Sequence, residues 1–365
     1  MKERSSNFEL LRIVSMLMIV FYHFGRYSGF SFADITGNFV YICFLELLGK
    51  VGVDLFVFIS GYFLINKNNW SVSKTAKLWL QIFSYSVGIA LAFYIHCAYI
   101  KNDEIVFSSF IYDFLPITTE RWWFASTYFV LILIYPFLNK LLKALTKKQY
   151  ISMLILMIVL WSVCGINAHW KFQGSNLATF VMLYSFAGFI KLHMDDVEIE
   201  KKKVSIALIA AVLLALSVEL AIFKIGSYNE HTLYYVRSLC SETSLFTLSI
   251  SLLIFLLFKN MRMKTSKVVN VFASATFGVY LIHENEHIRF LLWMDLFNGK
   301  GLQNSLYLIP YSIAVCIGVY AVFTMIELAR IYILEKNYMK LIYKAEPKII
   351  VVVKNFLTPI YRVFQ

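Results

Sequence analysis

The sequence predicts an all-α, polytopic membrane protein with about ten transmembrane helices and a cytoplasmic N-terminus. Three observations predict it. Of the 365 residues, 59% are hydrophobic and only 15% charged, too few polar residues to clothe a soluble globule of this size. The apolar runs reach the length of a bilayer-crossing helix, about 20 residues and roughly twice that of a barrel strand. Basic residues also crowd into alternate connecting segments, the charge pattern of inserted helical bundles.

Taken in order, the spans are 8–29, 41–65, 76–99, 122–142, 150–167, 176–192, 204–224, 236–258, 268–292 and 304–333. The first follows a polar start without a small-residue cleavage site and contains charge of its own, so it reads as a retained span. With the N-terminus inside, the inner segments collect Lys2 and Arg4, then Lys67, Lys74 and Lys77, then Lys140 to Lys148, Lys191 to Lys203, Lys259 to Lys267, and Arg330 onward, 24 of the 34 Lys and Arg. The outer segments hold mainly Lys101, Arg121, Lys171, Lys224, Arg237, Arg289 and Lys300. The net charge of +12 is therefore topological, and nucleic acid is not an expected partner. Five cysteines, scattered through apolar segments, form neither a disulfide framework nor a cysteine zinc site. Residues 1–333 make the transmembrane domain. In 334–365, Lys336, Lys340 and Lys344 recur beside Tyr338, Leu341 and Ile342, a basic amphipathic cytoplasmic tail suited to membrane lipid.

Within the first span, Arg12 and His23 are eleven residues apart. At about 100° per residue they return to nearly one helix face, about 16 Å apart along the axis. One reading is that the arginine snorkels to the inner surface and the histidine stays neutral. The other is that two ionisable groups on one face line a polar path. Arginine matches phosphate, and histidine can take and return a proton. A long ligand with phosphates at the cytoplasm and a reactive group deeper in the membrane would use both.

The Arg-x10-His spacing resembles the acyltransferase-3 family of integral-membrane O-acyltransferases, of the surface polysaccharide O-acetyltransferase type. "GVDLFVFISGYF" (Gly52 to Phe63) is similar to the family's second-span stretch. "WFASTYFVLILIYP" keeps a family tryptophan, Trp123, and "ATFGVYLIH" (Ala275 to His283) resembles the late-span motif ending in Tyr-Leu-x-His. The resemblance implies a multi-pass protein of a bacterial-type plasma (inner) membrane that takes acetyl-CoA as cytoplasmic acyl donor. It acetylates a surface polysaccharide or lipid-linked glycan acceptor, either alone or with a separate extracytoplasmic transfer partner. Arg12 would help to hold the CoA part, and His23 would be the base or acyl relay. Many relatives carry Arg-x-x-Arg after the second span. Lys74-Thr-Ala-Lys77 stands there instead, with charge but no bidentate fork. Where many relatives have paired glutamates this chain has Tyr128 and Phe129. The acidic partner of His23 must then come from Asp54, Glu46, Glu242 or Glu284, with Asp54 preferred because it sits in a matching motif. The alternative reading of Asp54 is a helix-end residue near the outer surface.

"HENEH", His283 to His287, also matches the H-E-x-x-H zinc signature, which would make an intramembrane protease with Glu284 as base. No third ligand is evident, and no metal is expected. His283 and Glu284 remain acceptor-site candidates. His96, His169, His193 and His231 read as interfacial or solvated. Trp122 reads as a membrane anchor, and Trp123 as either an anchor or a sugar-stacking platform. A glycan transporter or flippase, with Arg12 and His23 merely lining the path, is the remaining alternative.

Overall fold

The computed structural model describes residues 5–32, 34–98, 107–166, 175–226 and 239–363, and all regular structure among them is helical. At the centre lies an antiparallel pair, α1 (Ser6–Tyr27) and α2 (Gly37–Leu64). Leu11, Ser15, Ile19 and His23 recur every fourth residue on α1 and all are buried. The catalytic candidate thus sits on the core-facing stripe of its helix. On α2, a Cβ at Gly52 would lie 2.7 Å from the Ser15 carbonyl oxygen, and one at Gly49 would run into the Tyr22 ring. These glycines let the two backbones approach and bring His23 against α2.

Around this pair follow α3 (Val72–His96), α4 (Phe107–Phe114), α5 (Trp123–Ala144), α6 (Lys147–Met157), α7 (Asn176–His193), α8 (Lys201–Gly226) and α9 (Leu245–Lys259). The chain closes with α10 (Lys267–Ser274), α11 (Thr276–His283), α12 (Glu286–Phe290), α13 (Leu308–Arg330) and α14 (Lys336–Val363). Helices α7 and α9 pack on α2, whereas α10, α11 and α13 pack on α1. Side chains of Thr36, Ser71, Thr146, Ser175, Ser244, Ser266 and Asn285 cap the helices that follow them, each satisfying an orphan backbone N–H.

Six helices are long and apolar enough to cross a membrane. They are α1, α3, α5, α6 with its continuation to Ile166, α8, and the continuous rod from Leu308 to Val351. The 28-residue α2, which carries Glu46, Lys50 and Asp54, is not among them and is largely buried at the centre of the bundle. Helix also occupies the other predicted stretches, with differences. The eighth is shorter, starting at Leu245, and its predicted beginning (236–238) lies outside the described residues, as do His169 and His231. The ninth is broken into α10, α11 and α12. The predicted boundary at 333/334 falls within a wide helical turn, Ile331–Glu335, so the tail continues α13 without a loop. It leans on α3, where Glu346 Oε1 accepts from the Ser73 N–H at 3.1 Å.

The lysine-rich segments share one end of the bundle. There Ser6 donates to Asn270 Oδ1 at 3.0 Å, Asn7 donates to the Phe258 carbonyl at 2.8 Å, and Lys143 donates to Asn68 Oδ1 at 3.0 Å. The starts of α1 and α10 therefore meet the end of α9, and the end of α5 meets that of α2, as the predicted alternation requires. His23 lies toward the opposite end.

Candidate functional site

The break in the ninth span builds the site. Helix α11 delivers His283 as its last residue, Glu284 lies in the break, and Asn285 caps α12 by accepting from the His287 N–H at 2.9 Å. On α1, His23 faces both acidic and imidazole groups from that break. Its Nδ1 is 2.8 Å from His283 Nε2, and its Nε2 is 3.3 Å from Glu284 Oε2.

Chemistry fixes the protons in this chain. His283 Nδ1 is 2.7 Å from the Val279 carbonyl oxygen, and a carbonyl can only accept. His283 Nδ1 therefore carries its proton, and in a neutral ring Nε2 is then a bare lone pair. That lone pair accepts from His23 Nδ1–H, which leaves His23 Nε2 as the bare nitrogen. His23 lines a cavity of about 180 Å³, and its bare Nε2 lies on the Glu284 side of the ring. Both rings are buried, with His23 6% and His283 0% exposed.

The same cavity is lined by Tyr27, Lys50, Trp123, Glu242, Tyr280 and Arg289, among others. Tyr27 donates to Glu284 Oε1 at 2.8 Å, and Arg289 Nη1 stands 3.5 Å from the same oxygen. Lys50 Nζ pairs with Glu242 Oε1 at 2.9 Å. The Tyr280 hydroxyl is buried on the cavity wall, and among the described residues no acceptor takes its proton.

Of the sequence candidates, His23, His283, Glu284 and Trp123 come together here. Asp54 does not. Its carboxylate is fully buried in α2, where Oδ2 accepts from Ser251 at 3.1 Å. The carboxylate beside His23 is Glu284, because position 54 falls one turn beyond Lys50 and turns toward α9. Nor is Asp54 an outer-surface helix end. Trp122, read as a membrane anchor, is only 2% exposed and belongs to the core, while Trp123 lines the cavity.

Arg12 is half-buried nearer the basic end, with no ion pair among the described residues. Lys74 is exposed at the start of α3. Lys77 Nζ meets Glu335 Oε1 at 2.5 Å. Glu335 in turn receives Arg330 Nη2 at 2.7 Å, and Arg330 also grips the fully buried Glu327. The three basic candidates thus lie apart from the His23 cavity, one of them already paired.

The zinc reading of HENEH is overturned by geometry. The motif is not one helical turn, since α11 ends at His283. His283 Nε2 faces His23, whereas His287 Nε2 is 3.3 Å from Asp113 Oδ2 and its ring stacks on Phe93 at 4.4 Å. Among the described residues no three His, Cys, Asp or Glu side chains group to hold a metal ion.

Sequence reasoning missed Tyr27, Lys50, Tyr280 and Arg289. Tyr27 stands four residues after His23 on the same face, a signal that was present. The others needed the fold.

Membrane-length helices thus gather two paired imidazoles and a carboxylate at one cavity. The acyltransferase-domain family, acyltransferase-3, matches residues 5–325, nearly the whole chain, and the chain belongs to that family. It is a multi-pass membrane acyltransferase. No curated protein and no solved structure matches it.

Proposed function

We propose that this acyltransferase moves an acetyl group from cytoplasmic acetyl-CoA to a hydroxyl of a cell-surface glycan or its lipid-linked precursor, in a bacterial-type plasma membrane. The observation that carries the reading is the bare Nε2 of His23, held in that tautomer by His283, on a residue that lines the cavity. A nitrogen so held is a general base. It takes the proton of the acceptor hydroxyl as the oxygen attacks the thioester carbonyl. The carbon–sulfur bond then breaks, the proton passes to the leaving thiolate, and the products are the acetyl ester and free CoA. Glu284, 3.3 Å from Nε2, favours the imidazolium that forms in between. Tyr280 offers an unengaged O–H to the tetrahedral oxyanion.

Arg12, Lys74 and Lys77 suit the nucleotide phosphates of the donor, since they lie toward the basic end. Arg12 is eleven residues from His23, about 16 Å of helix rise, a span that an extended pantetheine arm can cover. Trp123 and Glu284 then face the acceptor sugar.

The test compares ester-linked acetate on purified surface polysaccharide by proton NMR, between a deletion strain and strains restored with wild type or His23→Ala. Acetyl signal should vanish on deletion and return with wild type alone, at equal amounts of membrane-inserted protein. Full restoration by His23→Ala would remove the central assignment.

A further inference from the structure

A second cavity, about 340 Å³, lies above the first at the end away from the lysines, between α1, α2 and α8. We propose that it binds a neutral sugar ring of the acceptor, with Glu219 and Glu46 taking its hydroxyls. This rests on the acetyl transfer to a glycan hydroxyl proposed above and adds where the glycan is held.

Glu219 carries the argument. It lines this cavity, is 2% exposed, and its Oε1 has no hydrogen-bond partner among the described residues. Its nearest polar neighbours are the thiols of Cys43 and Cys240, weak donors. A buried carboxylate oxygen left unpaired is costly, and a ligand hydroxyl donating to Oε1 would remove that cost. Glu46 and Arg26 line the same space, and neither makes an ion pair among the described residues.

The mixture of charges selects the ligand. Arg26 opposes an amine, and the two glutamates oppose an acid. A neutral polyol meets both, because each hydroxyl can donate to a carboxylate and accept from a guanidinium. The remaining wall is aromatic, with Phe30 and Phe32 stacked at 5.9 Å between centroids, and such rings cover the C–H faces of a pyranose. Tyr22 lines both cavities, so a ring held here would present a neighbouring sugar or hydroxyl past Tyr22 toward His23. The volume falls within the range of small-molecule sites, about 300–1,000 Å³.

The test uses the full chain in lipid nanodiscs and saturation-transfer difference NMR. The probes are methyl α-glucoside and methyl α-galactoside, with glucosamine and glucuronic acid as charged comparisons. Wild type should show signal from the neutral glycosides, stronger than from either charged sugar. Glu219→Leu and Phe32→Ala should each reduce it at least five-fold, and Glu219→Gln, which keeps an acceptor oxygen, should reduce it less. Absence of signal with wild type, or wild-type signal in both variants, overturns the site. Acetyl transfer kinetics separate this from the function itself. Transfer by wild type with the acceptor KM of Glu219→Leu within two-fold removes the sugar site and leaves the reaction. Glycoside binding lost in Glu219→Leu, with no acetyl transfer to any surface glycan, removes the reaction and leaves the sugar site.

Discussion

Replacing His283 by phenylalanine removes the atom that dictates the tautomer of His23 while filling the same buried space. His23 Nδ1–H then has no acceptor, and a buried orphan donor costs about 1–3 kcal/mol. The ring can escape that cost by moving its proton to Nε2, the side on which the Glu284 carboxylate stands at 3.3 Å. Restoring the reactive tautomer in the variant then costs about 1–3 kcal/mol. At 1.36 kcal/mol per decade this is roughly a 5–150-fold loss of kcat. The assay follows CoA thiol release and acceptor acetylation, separating kcat from the KM for acetyl-CoA, which should change little. His283→Gln, whose amide oxygen can accept from Nδ1–H, should recover part of the rate. Nitrogen-15 spectra of histidine-labelled protein should show the bare nitrogen of His23 move from Nε2 to Nδ1 in the phenylalanine variant. A folded His283→Phe protein that keeps more than about a third of wild-type kcat would refute the relay, since less than 1 kcal/mol would then separate the tautomers.

Three further outcomes follow from other parts of the molecule. Arg330→Leu strands Glu327, which is 0% exposed and otherwise held by Gln81 at 2.8 Å and Tyr85 at 2.5 Å. It should cost about 3–5 kcal/mol, most of which is recovered in the Glu327→Leu/Arg330→Leu double variant, read from denaturation midpoints in detergent. At the basic end, burial pushes the Asp195 carboxyl up, but hydrogen bonds from Lys191 and Tyr62 outweigh it and hold the group below its ordinary range. Its contribution to stability is therefore present above the ordinary carboxylate pKa and is lost as pH falls through the depressed one. Asp195→Asn should flatten that acid limb of the unfolding midpoint plotted against pH. His287→Ala should retain acetyl transfer, and chelators should not inhibit it, because His287 faces Asp113 and not the cavity. Loss of activity in both experiments would revive a metal.

The bundle was legible because the signals that define it are local. Apolar length marks the helices, and lysines mark one end. Arg12 and His23 were legible for the same reason, as two costly residues in one run. The partner of His23 was not, since the choice among Asp54, Glu46, Glu242 and Glu284 depends on which helices meet. Asp54 had the motif, and the glycines of that motif sit at close helix approaches. Gly52 admits the Ser15 carbonyl region of α1, and Gly61 would place a Cβ 2.9 Å from the Tyr184 carbonyl oxygen of α7. Between these two close approaches Asp54 is turned to Ser251 on α9.

The ninth span shows how one interruption changes chemistry. On an unbroken helix, His283 and His287 would lie on one face, about 6 Å apart, the arrangement that binds zinc. Glu284 would then turn some 100° away from His283. Ending α11 at His283 and restarting at the Asn285 cap undoes that alignment. His287 swings to Asp113 and Phe93, and Arg121 joins the same outer cluster, 2.9 Å from Asp113 Oδ1. Glu284, freed from helical register, reaches the imidazole that its neighbour His283 already holds by the other nitrogen. Adjacent residues thereby grip opposite sides of one ring, one setting its tautomer and the other favouring its charge, which a continuous helix cannot arrange from consecutive positions.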